Sequence, residues 1–286
     1  MMLRTLALAA CLLAGSMVAQ AAQPVNLQTQ AYAASPRLSS QAVLVLDSQT
    51  GKPVYEKNAS QQQPIASITK LMTAMVVLDA GLSLDEPITI TDDEVDRLKN
   101  TSSRLSVGST LTRREMLLLA LMSSENRAAA SLARTYPGGK AAFIARMNQK
   151  ARSIGMRNAV FHDATGLDMR NSATALDLGR MVKAAYQYPL IRQFSTTHEY
   201  MAHPTASRVL HYKNSNPLVR EGEWDIGLSK TGYIEEAGRC LVMQTTMGSQ
   251  HLIVVLLAAK GSAARVNDAK SIKTWLEAHP NTWLSG

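Results

Sequence analysis

Along this 286-residue chain, the apolar positions change their period several times, and each change marks an element. Ala42-Val43-Leu44-Val45-Leu46 and Pro53-Val54-Tyr55 are short apolar runs on either side of Asp47-Ser48-Gln49-Thr50-Gly51, the makeup of a hairpin. After Pro64, Ile68, Leu71, Met72, Met75 and Val76 recur at three- and four-residue spacing, which predicts a helix with a core-facing stripe. Thr112, with Glu115 three positions on, starts a second helix that runs through Met116–Met122 and halts at Ser123-Ser124; the pattern resumes from Ala128 to Ala133. Further helices are predicted from Lys140 to Ile154, stopped by Gly155, and from Thr174 to Tyr186, stopped before Pro189. The period then shortens: Leu228 to Ile234, Cys240 to Met247 and Leu252 to Ala259 read as three strands, the last two joined through Gly248-Ser249-Gln250. A final helix from about Ala263 to Glu277 offers Val266, Ile272 and Leu276 to that sheet. Two strands, a helical insert, three strands and a helix predict an α/β domain of the α+β type, with a five-stranded antiparallel sheet covered by helices.

The start of the chain follows a different logic. Arg4, an apolar run from Leu6 to about Val18, and Ala19-Gln20-Ala21 have the order of a signal peptide over residues 1–21, with the mature chain beginning near Ala22. A lipoprotein is the alternative, since Leu8-Ala9-Ala10-Cys11 resembles a lipidation box. Leu12, Leu13 and Ala14 nevertheless continue the apolar core past Cys11, which favours ordinary cleavage. Residues 22–40, rich in Gln, Ala and Ser, read as a flexible leader, and 41–286 as the folded domain. No later apolar run approaches the roughly 20 residues that span a bilayer, so no transmembrane anchor is expected after signal cleavage.

Composition narrows the function classes. With the signal removed, Cys240 is the single cysteine, which excludes an internal disulfide and a cysteine-based zinc site and suggests a buried, inert thiol. The net charge of +8 suits an anionic polymer or membrane headgroups. No run of consecutive basic residues resembles a nucleic-acid arm, so nucleic acid is not an expected partner.

Three short motifs carry the chemistry: Ser67-Ile68-Thr69-Lys70, Ser124-Glu125-Asn126 and Lys230-Thr231-Gly232. Each alone has a bland explanation as a helix cap with a solvated lysine, another cap, or an exposed strand charge. Together, and in this order, they match the signature of the active-site serine enzymes that react with β-lactams. Ser67 opens the predicted helix, where backbone N–H groups stabilise an oxyanion, and Lys70 lies one turn along on the same face. A lysine with an ordinary pKa of roughly 10.4 is a poor base at neutral pH. Burial and a second cation nearby, for which Lys230 is the candidate, both lower that value. Ser124 and Asn126 fall at a break between helices, where polar side chains can face a cleft. On the predicted strand, Gly232 permits close approach of a ligand backbone, and Lys230 with Thr231 can hold a carboxylate. Tyr212-Lys213-Asn214 competes for the second motif, but it lies close before the Lys-Thr-Gly strand, and the helix break suits a cleft wall better.

The chain resembles the low-molecular-mass penicillin-binding proteins, specifically the D,D-endopeptidases of the penicillin-binding protein 7 type. The resemblance runs from about Leu38 to the C-terminus. It rests on Pro64-Ile65-Ala66-Ser67-Ile68-Thr69-Lys70-Leu71-Met72-Thr73-Ala74, on the stretch from Leu117 to Ala130, and on Ala164-Thr165-Gly166-Leu167 as a marker of structural value. It implies a β-lactamase/transpeptidase-like fold and a periplasmic enzyme acting on peptidoglycan stem peptides and cross-links, with β-lactams as covalent inhibitors and no cofactor or metal. By position it implies Ser67 as nucleophile, Lys70 as proton acceptor, Ser124 and Asn126 as cleft partners, and Lys230, Thr231 and Gly232 as the substrate-binding strand. The oxyanion hole would use the backbone N–H groups of Ser67 and Tyr233. Unlike the larger D,D-carboxypeptidases, the chain ends soon after its last helix, which implies a free enzyme unless Cys11 is lipidated.

Other functions compete. His198-Glu199 with His203 superficially suggests a zinc protease, but the histidines stand five apart where the helical motif needs four. A class A β-lactamase needs a Glu for the deacylating water, and no Glu occurs between Asn126 and Glu199, so persistent acylation by β-lactams is expected. A non-catalytic peptidoglycan-binding module would not need Ser67 or Lys70. Between an endopeptidase and a D-alanyl-D-alanine carboxypeptidase, the preference for the former rests on the resemblance.

Overall fold

The computed structural model describes residues 35–248 and 250–279. The expected signal peptide, the alternative lipidation site at Cys11 and most of the expected leader lie outside them. Leu38, Ser39 and Ser40, the end of that leader, are held by side chains of the domain. Asp268 accepts from the backbone N–H groups of Ser39 and Ser40 and from Ser40 Oγ, while Lys57 donates to the carbonyls of Leu38 and Ser40.

Five strands build the main sheet: β1 (Ala42–Asp47), β2 (Pro53–Lys57), β3 (Asp225–Ile234), β4 (Gly238–Met247) and β5 (Gln250–Ala259). Their order is β2-β1-β5-β4-β3, with every neighbour antiparallel, so the first hairpin joins the last strand and β3 forms an edge. The turn between β1 and β2 is set locally, because the Asp47 carboxylate accepts from the N–H groups of Gln49 and Thr50, and Gly51 takes a φ of 73°. The sheet is buried on both faces. One face carries Leu44, Val242, Val255 and Leu257 into the main core, and the other packs Val43, Val45, Leu241, Met243, Val254 and Leu256 on the last helix. This is why β5 reads as a continuous apolar run instead of an alternating one.

Helices pack around it: α1 (Thr69–Asp79), α2 (Arg113–Met122), α3 (Asn126–Arg134), α4 (Gly139–Ser153), α5 (Ala175–Ala185), α6 (Pro189–Ser195), α7 (Pro217–Glu221) and α8 (Ala264–Ala278). The predicted cap forms as a capping box: Thr112 Oγ1 accepts from Glu115 N while the Glu115 carboxylate accepts from Thr112 N. Thr174 and Asp177 do the same for α5. Helix α1 is buried on all sides from Thr69 to Val77, so the expected stripe is a full core helix. Helix α8 buries Ala269, Ile272 and Leu276 against the outer face of the sheet.

One difference from the sequence expectation concerns the site. Ser67 lies in a 3-10 turn, Ala66–Ile68, that feeds into α1, and not in the first α-turn itself. The segment with His198 and Glu199 is a strand, Glu199–Thr205, paired with Arg208–Lys213, in which Glu199 bonds His211; this geometry cannot place histidines on one helix face. Helices α6 and α7 were also unforeseen. Both begin with a proline at the first helical turn, so Pro189, expected as a stop, is also a start. No helix among the described residues is long and apolar enough to cross a membrane.

Candidate active site

The three motifs converge on one cleft between the edge strand β3 and the helical part of the domain. Ser67, Thr101, Ser124, Asn126, Leu167, Thr231, Gly232, Tyr233 and Arg265 line it. Two non-glycine residues with left-handed backbone flank the chemistry: Ala66, with a φ of 47°, directly before Ser67, and Ser124, with a φ of 64°. Such positions cost roughly 1 kcal/mol or more and persist where the surroundings over-determine them. At Ala66 the surroundings are two glycines. A Cβ on Gly166 would stand 1.9 Å from the Ala66 carbonyl oxygen, and one on Gly232 would stand 3.1 Å from Ser67 N, so the Ser67 turn is clasped by backbone from both sides. This gives the Ala164-Thr165-Gly166-Leu167 stretch its physical content.

Lys70 is fully buried, and its Nζ donates to Ser67 Oγ at 2.8 Å, to Asn126 Oδ1 at 2.8 Å and to the Thr165 carbonyl at 2.6 Å. Burial pushes its pKa down to about 7, against the opposing pull of the Asp163 and Glu125 carboxylates. Desolvation, one of the two causes expected from the sequence, is the largest influence on Lys70. Lys230 is itself buried and held well below the ordinary range, first by burial and then by the charges of Lys70 and Arg265. Its Nζ donates to Ser124 Oγ at 2.9 Å and to the Thr231 carbonyl at 2.7 Å. Thr231 Oγ1 donates to Ser215 Oγ.

The shell around Lys70 is built from loops far apart in sequence. The Asp163 carboxylate accepts from Thr165 N, Thr165 Oγ1, Gly166 N and Asn171 Nδ2, which fixes the turn presenting the Thr165 carbonyl. Glu125, within the second motif, is buried and accepts from Ser103 Oγ, Arg127 N and the Tyr212 hydroxyl. Both carboxylates thus have their oxygens engaged. Asn126 also donates to Thr101 Oγ1 at 3.2 Å. The competing Tyr212-Lys213-Asn214 serves packing instead: Tyr212 is buried beneath the Arg104 guanidinium, and Asn214 donates to the carbonyls of Ser195 and Thr197.

Sequence reasoning missed Arg265. At the start of α8 it donates to the Gly232 carbonyl at 2.9 Å and brings a guanidinium to the cleft, yet no motif surrounds it and nothing in the sequence marks it. Tyr233 is 55% exposed at the cleft edge, with the Arg239 guanidinium over its ring. Cys240 is buried behind the strand, where burial pushes its thiol up to about 11, in keeping with an inert cysteine. Among the described residues no cluster of His, Cys, Asp or Glu is arranged to hold a metal.

The chain is 49% identical over 243 residues to a D-alanyl-D-alanine endopeptidase of Pseudomonas aeruginosa, covering 84% of this chain and 78% of that protein. It is 46% identical over 248 residues to a D-alanyl-D-alanine endopeptidase of Escherichia coli, covering 86% and 79%. The crystal structure of the Streptomyces K15 DD-transpeptidase superposes with a TM-score of 0.79 at 30% identity, covering 85% of this chain and 99% of that one. Residues 29–261 match the family described as D-alanyl-D-alanine carboxypeptidase. With the serine, the buried lysine and the Lys-Thr-Gly strand meeting in one cleft of that shared fold, the chain belongs to this family of serine D,D-peptidases.

Proposed function

We propose that the protein is a periplasmic serine D,D-endopeptidase that hydrolyses the D-Ala to diaminopimelate cross-links of peptidoglycan through an acyl-Ser67 intermediate. The observation that carries this reading is the buried Lys70 amine 2.8 Å from Ser67 Oγ, with a pKa lowered to about 7. An ammonium has three protons for its three partners. Once one is lost, two still serve Asn126 Oδ1 and the Thr165 carbonyl, and the lone pair faces the Ser67 hydroxyl. Ser67 Oγ then attacks the D-Ala carbonyl as its proton passes to Lys70. The backbone N–H groups of Ser67 and Tyr233 take the oxyanion, and the Ser124 hydroxyl, held by Lys230, passes a proton to the departing amine while the proton on Lys70 replaces it. Water then attacks the acyl-Ser67 ester as Lys70 takes its proton and returns it to Ser67 Oγ, releasing the D-Ala carboxylate. The cationic side of the cleft, with Lys230 and Arg265, suits the carboxylate beside the scissile amide.

Cross-link hydrolysis is preferred to carboxypeptidase action because the two relatives nearest half identity are endopeptidases by name. A cross-linked amine also keeps its own carboxylate, so the same cationic subsite serves it. Purified sacculi supply the test. Dimeric muropeptides should decline and monomers accumulate with little free D-Ala, whereas rapid D-Ala release with dimers left intact would make the enzyme a carboxypeptidase.

A further inference from the structure

An ion pair joins the segments that follow and precede two cleft-lining residues, Tyr233 on the strand side and Thr101 on the helical side. Lys99 belongs to the loop Val95–Thr101 on the helical side, and Glu236 to the turn between β3 and β4, three residues beyond Tyr233. Their ammonium and carboxylate are in direct contact, with side chains 28% and 30% exposed. The loop is not slack. The Asp96 carboxylate accepts from Leu98 N, Lys99 N, Thr101 N and Thr101 Oγ1, and Thr101 accepts from Asn126, which in turn touches Lys70. Lys99 is therefore held in fixed relation to the catalytic groups, and Glu236 is held by the strand that carries Lys230, Thr231 and Gly232.

The direction of the substrate follows from the charges. A peptide laid along the free edge of β3 with its scissile carbonyl at Ser67 places the carboxylate-bearing leaving residue toward Lys230 and Arg265. Its acyl-donor stem then runs the other way along the strand, toward Tyr233 and the turn that carries Glu236. In the substrate of the proposed function the residue before D-Ala is diaminopimelate, whose side chain ends in an amine and a carboxylate on one carbon. A partly exposed, solvent-screened ion pair is weak, so a zwitterion replaces it at small cost and gains a charge-assisted bond to each partner.

We propose that Lys99 and Glu236 form a recognition pair for an amino-acid zwitterion at the end of the donor side chain, with Lys99 taking its carboxylate and Glu236 its ammonium. The proposal rests on the D,D-peptidase reading but not on endopeptidase preference. Its probe is a penicillin with a D-α-aminoadipyl side chain, which presents amine and carboxylate on one carbon, compared with its N-acetyl and carboxamide forms. Second-order acylation rates are read by intact mass for the wild type, Lys99→Ala and Glu236→Ala.

The wild type should discriminate against each blocked form by about tenfold, the scale of one charge-assisted contact. Lys99→Ala should lose discrimination against the carboxamide and Glu236→Ala against the N-acetyl form, while benzylpenicillin reacts within about twofold of wild type in all three. Unchanged ratios in both variants, or an equal fall for every β-lactam, would overturn the proposal and leave the pair a structural strap. Cross-link cleavage on sacculi, measured beside it, reports separately on the endopeptidase reading: intact dimers with the expected ratios would refute that reading and uphold the pair.

Discussion

Burying a lysine ammonium is unfavourable unless it is paired or loses its proton, and Lys70 shows both responses. Two acceptors and a serine surround it, two carboxylates pull its pKa up from a short distance, and desolvation still brings it down to about 7. Acylation needs the neutral amine, so its rate should rise with pH through about 7 and flatten above. Glu125 favours the protonated form, and Glu125→Gln should move this rising limb to lower pH, as read from the pH dependence of acylation. A limb that stays in place would remove Glu125 from the control of Lys70. Neither Lys70→Met nor Lys70→Arg can accept a proton near neutrality, and each should lower acylation by about 10²- to 10⁴-fold with the fold retained by circular dichroism.

Among the elements, the turn that carries Ser67 depends on glycines contributed from elsewhere. Gly166 has a φ of 84° and admits no Cβ, because the Ala66 backbone occupies that space. Gly166→Ala should therefore cost more than the roughly 1–2 kcal/mol of a left-handed residue alone and slow acylation sharply. Gly51, with a φ of 73° but nothing within 4 Å of its would-be Cβ, isolates the conformational term. Gly51→Ala should cost only about 1–2 kcal/mol and leave acylation unchanged. Chemical denaturation and acylation rates of both variants check the contrast, and equal effects would mean that the Gly166 clasp does not position Ser67. The elements legible in the sequence were those with local causes: the capping box at Thr112, the helix start at Thr174, the apolar period of α1, and the turn residues between β1 and β2. The strands Glu199–Thr205 and Arg208–Lys213 were not, because they are largely exposed and lack the apolar runs that mark the main sheet.

At the scale of the whole molecule, the cleft exists because an edge strand late in the chain meets a helix turn from its first third. The motif residues could be read from sequence since each carries its own chemistry in a fixed order. Arg265, the Thr165 carbonyl, and the Lys99–Glu236 contact could not. One is a lone charge, one a backbone atom and one a pair 137 residues apart, and each acquires meaning only from folding. Ser67 is expected to be the single acylated residue of this cleft, and intact-mass measurement after exposure to benzylpenicillin tests that most directly. The wild type should gain one penicilloyl adduct, mapped by peptide digestion to Ser67 and lasting well beyond the time of its formation, and Ser67→Ala should gain none. An adduct retained in Ser67→Ala, or mapped to another residue of the wild type, would contradict it.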